Sequence, residues 1–204
     1  MKRDEKRSSK GSITVRSKPS GVVRIISGCF RGRKLPVLDA QGLRPTTDKN
    51  KEMLFSWLMA YTSNAKCLDA FAGSGGLGFE ALSRYAKSCT FIELDKTVAK
   101  NVAANIQLLG LSALQAKIIQ GNTLDTLNNL SESYQLIFLD PPFNQNLLPQ
   151  TIESIDAKKL LAEEGVIYIE CEAQGIPYIV PENWQMLKEK RSTQILARVY
   201  QRKN

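Results

Sequence analysis

The sequence contains no histidine in 204 residues. That absence excludes Ser-His-Asp hydrolysis, Cys-His proteolysis and histidine-bound zinc, so any chemistry the chain performs works without imidazole. Cysteine is sparse: Cys29, Cys67, Cys89 and Cys171 are scattered, with no CxxC pair. This spacing argues against a disulfide framework and a structural zinc site, and no metal is expected. No apolar run approaches the roughly 18 residues a membrane span needs. The N-terminal "MKRDEKRSSKGSITVRSKPS" is basic but lacks the apolar core of a signal peptide. A cytoplasmic location follows as the default expectation, with no membrane partner.

The chain does have enough apolar residues, 43%, to bury a sizeable core in one domain of ordinary size. Its charge is unevenly spread. Residues 1–51 hold 14 Lys/Arg against 4 Asp/Glu, whereas residues 52–204 hold 14 against 16. All of the net +8 therefore comes from the first quarter. A basic tail can serve solubility alone, but the excess continues into "RIISGCFRGRKLPVLDAQGLRPTTDKNK", which reads as folded. A basic folded surface fits a polyanion, because neutralising phosphates releases counterions.

Residues 1–20 read as a disordered basic tail. Val22 to Ser27 and Lys34 to Leu38 read as the strands of a small β-hairpin, residues 21–43, carrying Arg24, Arg31, Arg33 and Lys34. Residues 44–204 form the main domain. Thr46 or Thr47 suits the cap of a helix in which Met53, Leu54, Trp57, Leu58 and Tyr61 form the buried face. From Lys66 on, short apolar strands alternate with helices: "KCLDAF", "GLGFEALSRYA", "SCTFIEL", "KTVAKNVAANIQLLG", "LQAKII", "TLDTLNNL", "YQLIFLD", a helix within 147–161, then "GVIYIEC". Repeated βα units predict a Rossmann-like α/β fold, a mostly parallel twisted sheet of about seven strands with helices on both faces. "WQMLKEKR" and "TQILARVYQ" add an antiparallel hairpin at its edge, joined by a two-residue turn near Ser192. Nothing in the pattern suggests an oligomer.

Two features carry chemistry. In "LDAFAGSGGLGFEAL", Gly73, Gly75 and Gly78 have G-x-G-x-x-G spacing, follow a strand and open a helix, the context in which this pattern signals nucleotide binding. Glu93 ends the next strand, where a carboxylate accepts hydrogen bonds from ribose hydroxyls. Asp69, just before the glycine loop, separates the candidate ligands. It suits the ammonium of S-adenosylmethionine and would repel a dinucleotide's pyrophosphate; as a strand-end cap it needs no ligand. Asn122, with Thr123 beside it, stands where a side chain meets adenine, and Asn122 is equally at home as a turn residue.

The second feature is "YQLIFLDPPFNQN". Asp140 ends a strand beside the glycine loop and runs into Pro141, Pro142 and Phe143. An exocyclic amine on a nucleobase is a poor nucleophile, and methylating it needs acceptors for its protons that turn the lone pair toward the donor. The Asp140 carboxylate and the Pro141 carbonyl supply such acceptors. The two prolines fix the backbone and remove N–H donors. Phe143 offers a stacking face for the base, worth about 1–3 kcal/mol. Alone, the same four residues read as a strand terminator with a core phenylalanine.

Taken in order, "LDAFAGSGGLG", "FIELD" and "LDPPF" resemble class I S-adenosylmethionine-dependent methyltransferases that act on amines. "RIISGCFRGRKL", "LRPTTDKNKEMLFSWL" and the C-terminal "NWQMLKEKR…VYQR" resemble, more closely, the RsmD family. Those are bacterial enzymes that methylate the N2 amine of a guanine in 16S ribosomal RNA. The similarity runs from about Val22 to the end. It implies cofactor contacts at Asp69, the 73–78 loop, Glu93 and Asn122, and base recognition at Asp140 through Phe143. It also implies that Arg44, Pro45 and Thr46 lie over the active site, and that the partner is ribosomal RNA in the small subunit or an assembly intermediate, the enzyme being a monomer. The chain departs from the family at Asn144 and Gln145, where arginines are common, and at Ala70, where a larger apolar residue is expected. Alternatives are a DNA adenine-N6 methyltransferase, for which the chain leaves little room for a target-recognition region, and a non-catalytic nucleic-acid-binding protein with a methyltransferase-like core. An NAD-dependent oxidoreductase lacks an evident hydride-transfer acid.

Overall fold

The computed structural model describes residues 21–37 and 48–204. The expected tail, the Thr46/Thr47 cap and the candidate contacts Arg44 and Thr46 lie outside the described residues. The chain begins with a hairpin of β1 (Gly21–Arg24) and β2 (Lys34–Val37), paired antiparallel. Helices α1 (Asp48–Trp57) and α2 (Met59–Thr62) follow. The alternating region comprises β3 (Lys66–Asp69), α3 (Gly76–Ser83), β4 (Ser88–Glu93), α4 (Lys96–Leu108), β5 (Ala116–Gln120), α5 (Thr123–Asn129), β6 (Tyr134–Leu139), α6 (Leu148–Ala157) and β7 (Leu161–Glu172). Two long strands, β8 (Trp184–Arg191) and β9 (Ile195–Arg202), close it.

Seven strands form one sheet in the order β5-β4-β3-β6-β7-β9-β8. The strands from β5 to β7 are parallel, and β9 pairs antiparallel with both β7 and β8. This is the expected Rossmann-like architecture. The turn before β9 spans residues 192–194, one longer than expected, and is closed by Ser192 N–H donating to the Ile195 carbonyl at 2.8 Å.

β6 shows why its apolar run is continuous. Side chains alternate across a strand, so Leu136 and Phe138 enter one core with Phe55, Phe79 and Phe91. Ile137 and Leu139 enter the other, with Ile152, Ile155 and Trp184. Both faces of the strand are covered, as in parallel sheets generally. In α1 the spacing argument missed Phe55, which is fully buried with its ring centroid 5.9 Å from that of Phe138.

The N-terminal hairpin joins the first of these cores through Ile25 and Leu35. A polar clamp on α3 holds it there. The buried Glu80 carboxylate accepts Ile26 N–H at 2.8 Å, Ser27 N–H at 3.1 Å and Arg84 Nε–H at 2.8 Å. Ser83 accepts Cys29 N–H on its carbonyl at 2.8 Å and Phe30 N–H on its hydroxyl at 2.9 Å. Gly28 has φ +85°, and a Cβ there would stand 1.8 Å from the Ser83 carbonyl oxygen, so only glycine passes this point. Buried Lys51 adds a tie by donating to the Arg24 carbonyl.

Candidate active site

The chain builds β3, β4 and β5 outward in one direction, then returns to lay β6 on the other side of β3. Open α/β sheets bind ligands at such a switch in strand order, at the carboxyl ends of the strands. Asp69 ends β3 and Asp140 follows β6, so the two carboxylates flank the switch.

Asp69 is buried, and its Oδ2 accepts Gly78 N–H at 3.1 Å. Burial pushes its pKa up to about 7; the Gly78 hydrogen bond opposes the rise and the charge of Glu93 adds to it. The loop 73–78 turns through left-handed backbone at Gly73, φ +50°, and Gly75, φ +77°. Gly78 serves a different end: a Cβ there would lie 2.2 Å from Phe91 Cε1 and 2.8 Å from Cys89 Sγ, so it lets α3 pack directly on β4. The third glycine of the pattern is thus a packing residue.

Glu93 caps the site from β4. Its Oε2 accepts Gly73 N–H at 2.8 Å and its Oε1 accepts Asp95 N–H at 2.8 Å. A carboxylate has about four lone-pair sites, so both oxygens keep capacity for two ribose hydroxyls. Asn122 is the N-cap of α5, its side chain accepting from Leu124 N–H at 2.9 Å and Asp125 N–H at 3.3 Å. The Thr123 hydroxyl donates to the Ala70 carbonyl at 2.9 Å, tying the end of β3 to the start of α5. Both side-chain oxygens therefore have internal partners. A glycine loop, a buried carboxylate before it and an acid at the end of β4 form a set that fits a nucleoside bearing an ammonium group.

Asp140 is half-buried, and its pKa is raised well above the ordinary range by burial, by Glu170 and by Asp69. Pro141 is buried, Pro142 exposed and Phe143 half-buried. The segment leaves the sheet through left-handed backbone at Asn144, φ +62°, and Asn146, φ +49°, and Asn144 N–H donates to Glu172. The two residues that replace the family's arginines thus begin a turn, with asparagine at the position that needs positive φ.

Sequence reasoning missed Glu80 and Glu170. Glu80 sits inside the apolar run "GFEAL", and a lone acid there signals a buried partner. Glu170 lies on β7, 8% exposed, and accepts a hydrogen bond from Tyr168 Oη. A cavity of about 420 Å3 opens beside it, between the start of α1 and the β8–β9 turn. The hairpin residues Arg24, Arg31, Arg33 and Lys34 are all exposed. Among the described residues no three acids or cysteines are grouped to hold a metal ion, and Cys29, Cys67, Cys89 and Cys171 are free thiols.

The family model described as "Conserved hypothetical protein 95" matches residues 23–201. A Haemophilus influenzae protein named ribosomal RNA small subunit methyltransferase D is 51% identical over 183 residues, which cover 89% of this chain and 94% of that one. Its Escherichia coli namesake is 46% identical over 184 residues, covering 90% and 91%. The chain belongs to this family. The solved structure of the Escherichia coli yhhF protein superposes with a TM-score of 0.82 at 43% identity, covering 90% of this chain and 99% of that one. As a member of the RsmD family the chain is a methyltransferase, and its cofactor is S-adenosylmethionine.

Proposed function

We propose that the protein transfers a methyl group from S-adenosylmethionine to the exocyclic N2 amine of a guanine in 16S ribosomal RNA. The observation that carries this reading is the position of Asp140, an acceptor followed by two prolines at the carboxyl end of β6, beside the strand that Asp69 ends. The identity to proteins named ribosomal RNA small subunit methyltransferase D supports the substrate class.

When bound, S-adenosylmethionine supplies a methyl group on a sulfonium, which departs as a neutral thioether. In this reading Asp69 receives the ammonium group, the 73–78 loop admits the cofactor close to the backbone, and Glu93 accepts its ribose hydroxyls. Asn122 and Thr123 set the shape of the adenine side through the start of α5. Asp140 and the Pro141 carbonyl accept hydrogen bonds from the two amine N–H groups, which turns the nitrogen lone pair toward the methyl group, and the Asp140 carboxylate takes the proton that the methylated nitrogen releases. Pro142 stiffens the segment and Phe143 stacks on the base. Arg24, Arg31, Arg33 and Lys34 hold the phosphate backbone, and Arg44 and Thr46, outside the described residues, bind substrate as the family resemblance implies.

The protein would act as a cytoplasmic monomer on the small subunit or an assembly intermediate; no described helix is long and apolar enough to cross a membrane. The test offers labelled S-adenosylmethionine with small-subunit particles, naked 16S RNA and DNA in separate reactions. Label on particles or RNA is expected; label on DNA alone, or on nothing, defeats the reading.

A further inference from the structure

We propose that Glu170 reads the target base, accepting the guanine N1–H beside Asp140, and that the cavity flanking Glu170 houses the extruded nucleoside. This deepens the methyl-transfer reading above and rests on it. The parallel register that pairs Leu139 with Ile169 brings Asp140 and Glu170 to the same level on neighbouring strands, about 4.8 Å apart in the sheet. Their charges interact. Guanine presents N1–H and the N2 amine as adjacent donors on its Watson–Crick edge, whereas adenine presents an acceptor at N1. Two neighbouring carboxylates match the first edge and repel the second.

The surroundings fit the same occupant. Tyr168 Oη donates to Glu170 Oε2, fixing the carboxylate's orientation. The cavity, about 420 Å3, is lined by Asn50, Met53, Tyr168, Glu170, Lys190 and Thr193 among others, and lies within the range of small-ligand sites. Its walls come from α1, β7, β8, β9 and the turn between the last two, and include no residue of the glycine loop. Met53 gives an apolar contact for a base, and exposed Lys190 gives a cation for a flanking phosphate. Enzymes that modify a base extrude it into such a pocket and read its edge there.

The test compares RNA carrying guanine at the methylated position with RNA carrying 2-aminopurine there, which keeps the N2 amine but has an acceptor at N1. Wild type should favour guanine in kcat/KM by about tenfold or more, the discrimination of one good base contact. Glu170→Gln, whose amide can donate to N1, should shrink that ratio by about the same factor. Tyr168→Phe should lower kcat/KM on both RNAs and keep the preference. Cofactor binding by calorimetry serves as the check on folding and should be retained in both variants. An unchanged guanine preference in Glu170→Gln with cofactor binding intact overturns the proposal, as does loss of cofactor binding in that variant, which would make Glu170 part of the scaffold. A wild-type protein that methylates no RNA would instead defeat the underlying reading.

Discussion

Glu80→Gln replaces one carboxylate oxygen with an NH2 group and should release the N-terminal hairpin. The carboxylate accepts three donors on two oxygens, Ile26 N–H on one, Ser27 N–H and Arg84 Nε–H on the other. Glutamine keeps a single oxygen. If that oxygen faces Ser27 and Arg84, its NH2 confronts Ile26 N–H, donor against donor, and Arg84 loses the charge that faced it. Charge-assisted hydrogen bonds contribute about 1.5–3 kcal/mol each, and removing one charge of a buried pair costs about 3–5 kcal/mol. Arg84 is partly exposed, its side chain at 22%, so the lower end applies. We expect a loss of about 3 kcal/mol, which for about 200 residues lowers Tm by about 6–12 °C. Hydrogen exchange should localise the effect, with the Ile26 and Ser27 amides losing protection before those of β6. A melt within about 2 °C of wild type, with both amides still slow to exchange, would refute the clamp.

Asp69 makes stability and cofactor affinity depend on pH in opposite senses. Its folded pKa is raised to about 7 from an ordinary 3.8, so the folded cofactor-free protein holds a proton that the unfolded chain has released. This contribution is fully present below the unfolded value and is lost as pH rises through about 7, a change on the order of 4 kcal/mol at 1.36 kcal/mol per unit. Asp69→Asn should flatten that part of the stability profile between pH 4 and pH 7, whereas S-adenosylmethionine binding to wild type should tighten over the upper part of that window as the carboxylate ionises. Parallel profiles for wild type and variant would contradict the assignment. Gly78→Ala should push α3 off β4, because the new methyl meets Phe91 at 2.2 Å; a cost of about 1–3 kcal/mol and weaker cofactor binding are expected, and calorimetry with a thermal melt checks both. Replacing Arg31, Arg33 and Lys34 with alanine should weaken RNA binding and flatten log K against log salt by about 2 to 3; an unchanged slope in a filter-binding titration would remove the hairpin from the RNA grip.

What the sequence made legible was local. The glycine loop announces itself because left-handed turns at Gly73 and Gly75 require that residue, and it stands between an apolar strand and a helix. β6 was readable because four apolar residues run straight into Asp140 and two prolines. Non-local pairings were not. Nothing near Glu80 in the chain says that its partners are Ile26 and Ser27, more than fifty positions earlier. Glu170 looked like one acid in a strand, and only the pairing of β7 with β6 sets it beside Asp140. Asn122 carried both readings in the sequence, and its capping bonds in the structure explain why an asparagine stands there.

The central claim is that Asp140 presents a guanine amine to the methyl donor. Nucleoside mass spectrometry of small-subunit RNA, after reaction with isotopically labelled S-adenosylmethionine, tests it most directly when wild type and Asp140→Ala are run side by side with cofactor affinity measured for each. Labelled N2-methylguanosine should form with wild type and disappear with Asp140→Ala, while the variant still binds the cofactor. Transfer by Asp140→Ala at the wild-type rate, or label found in any nucleoside other than a guanosine methylated at N2, would contradict the account.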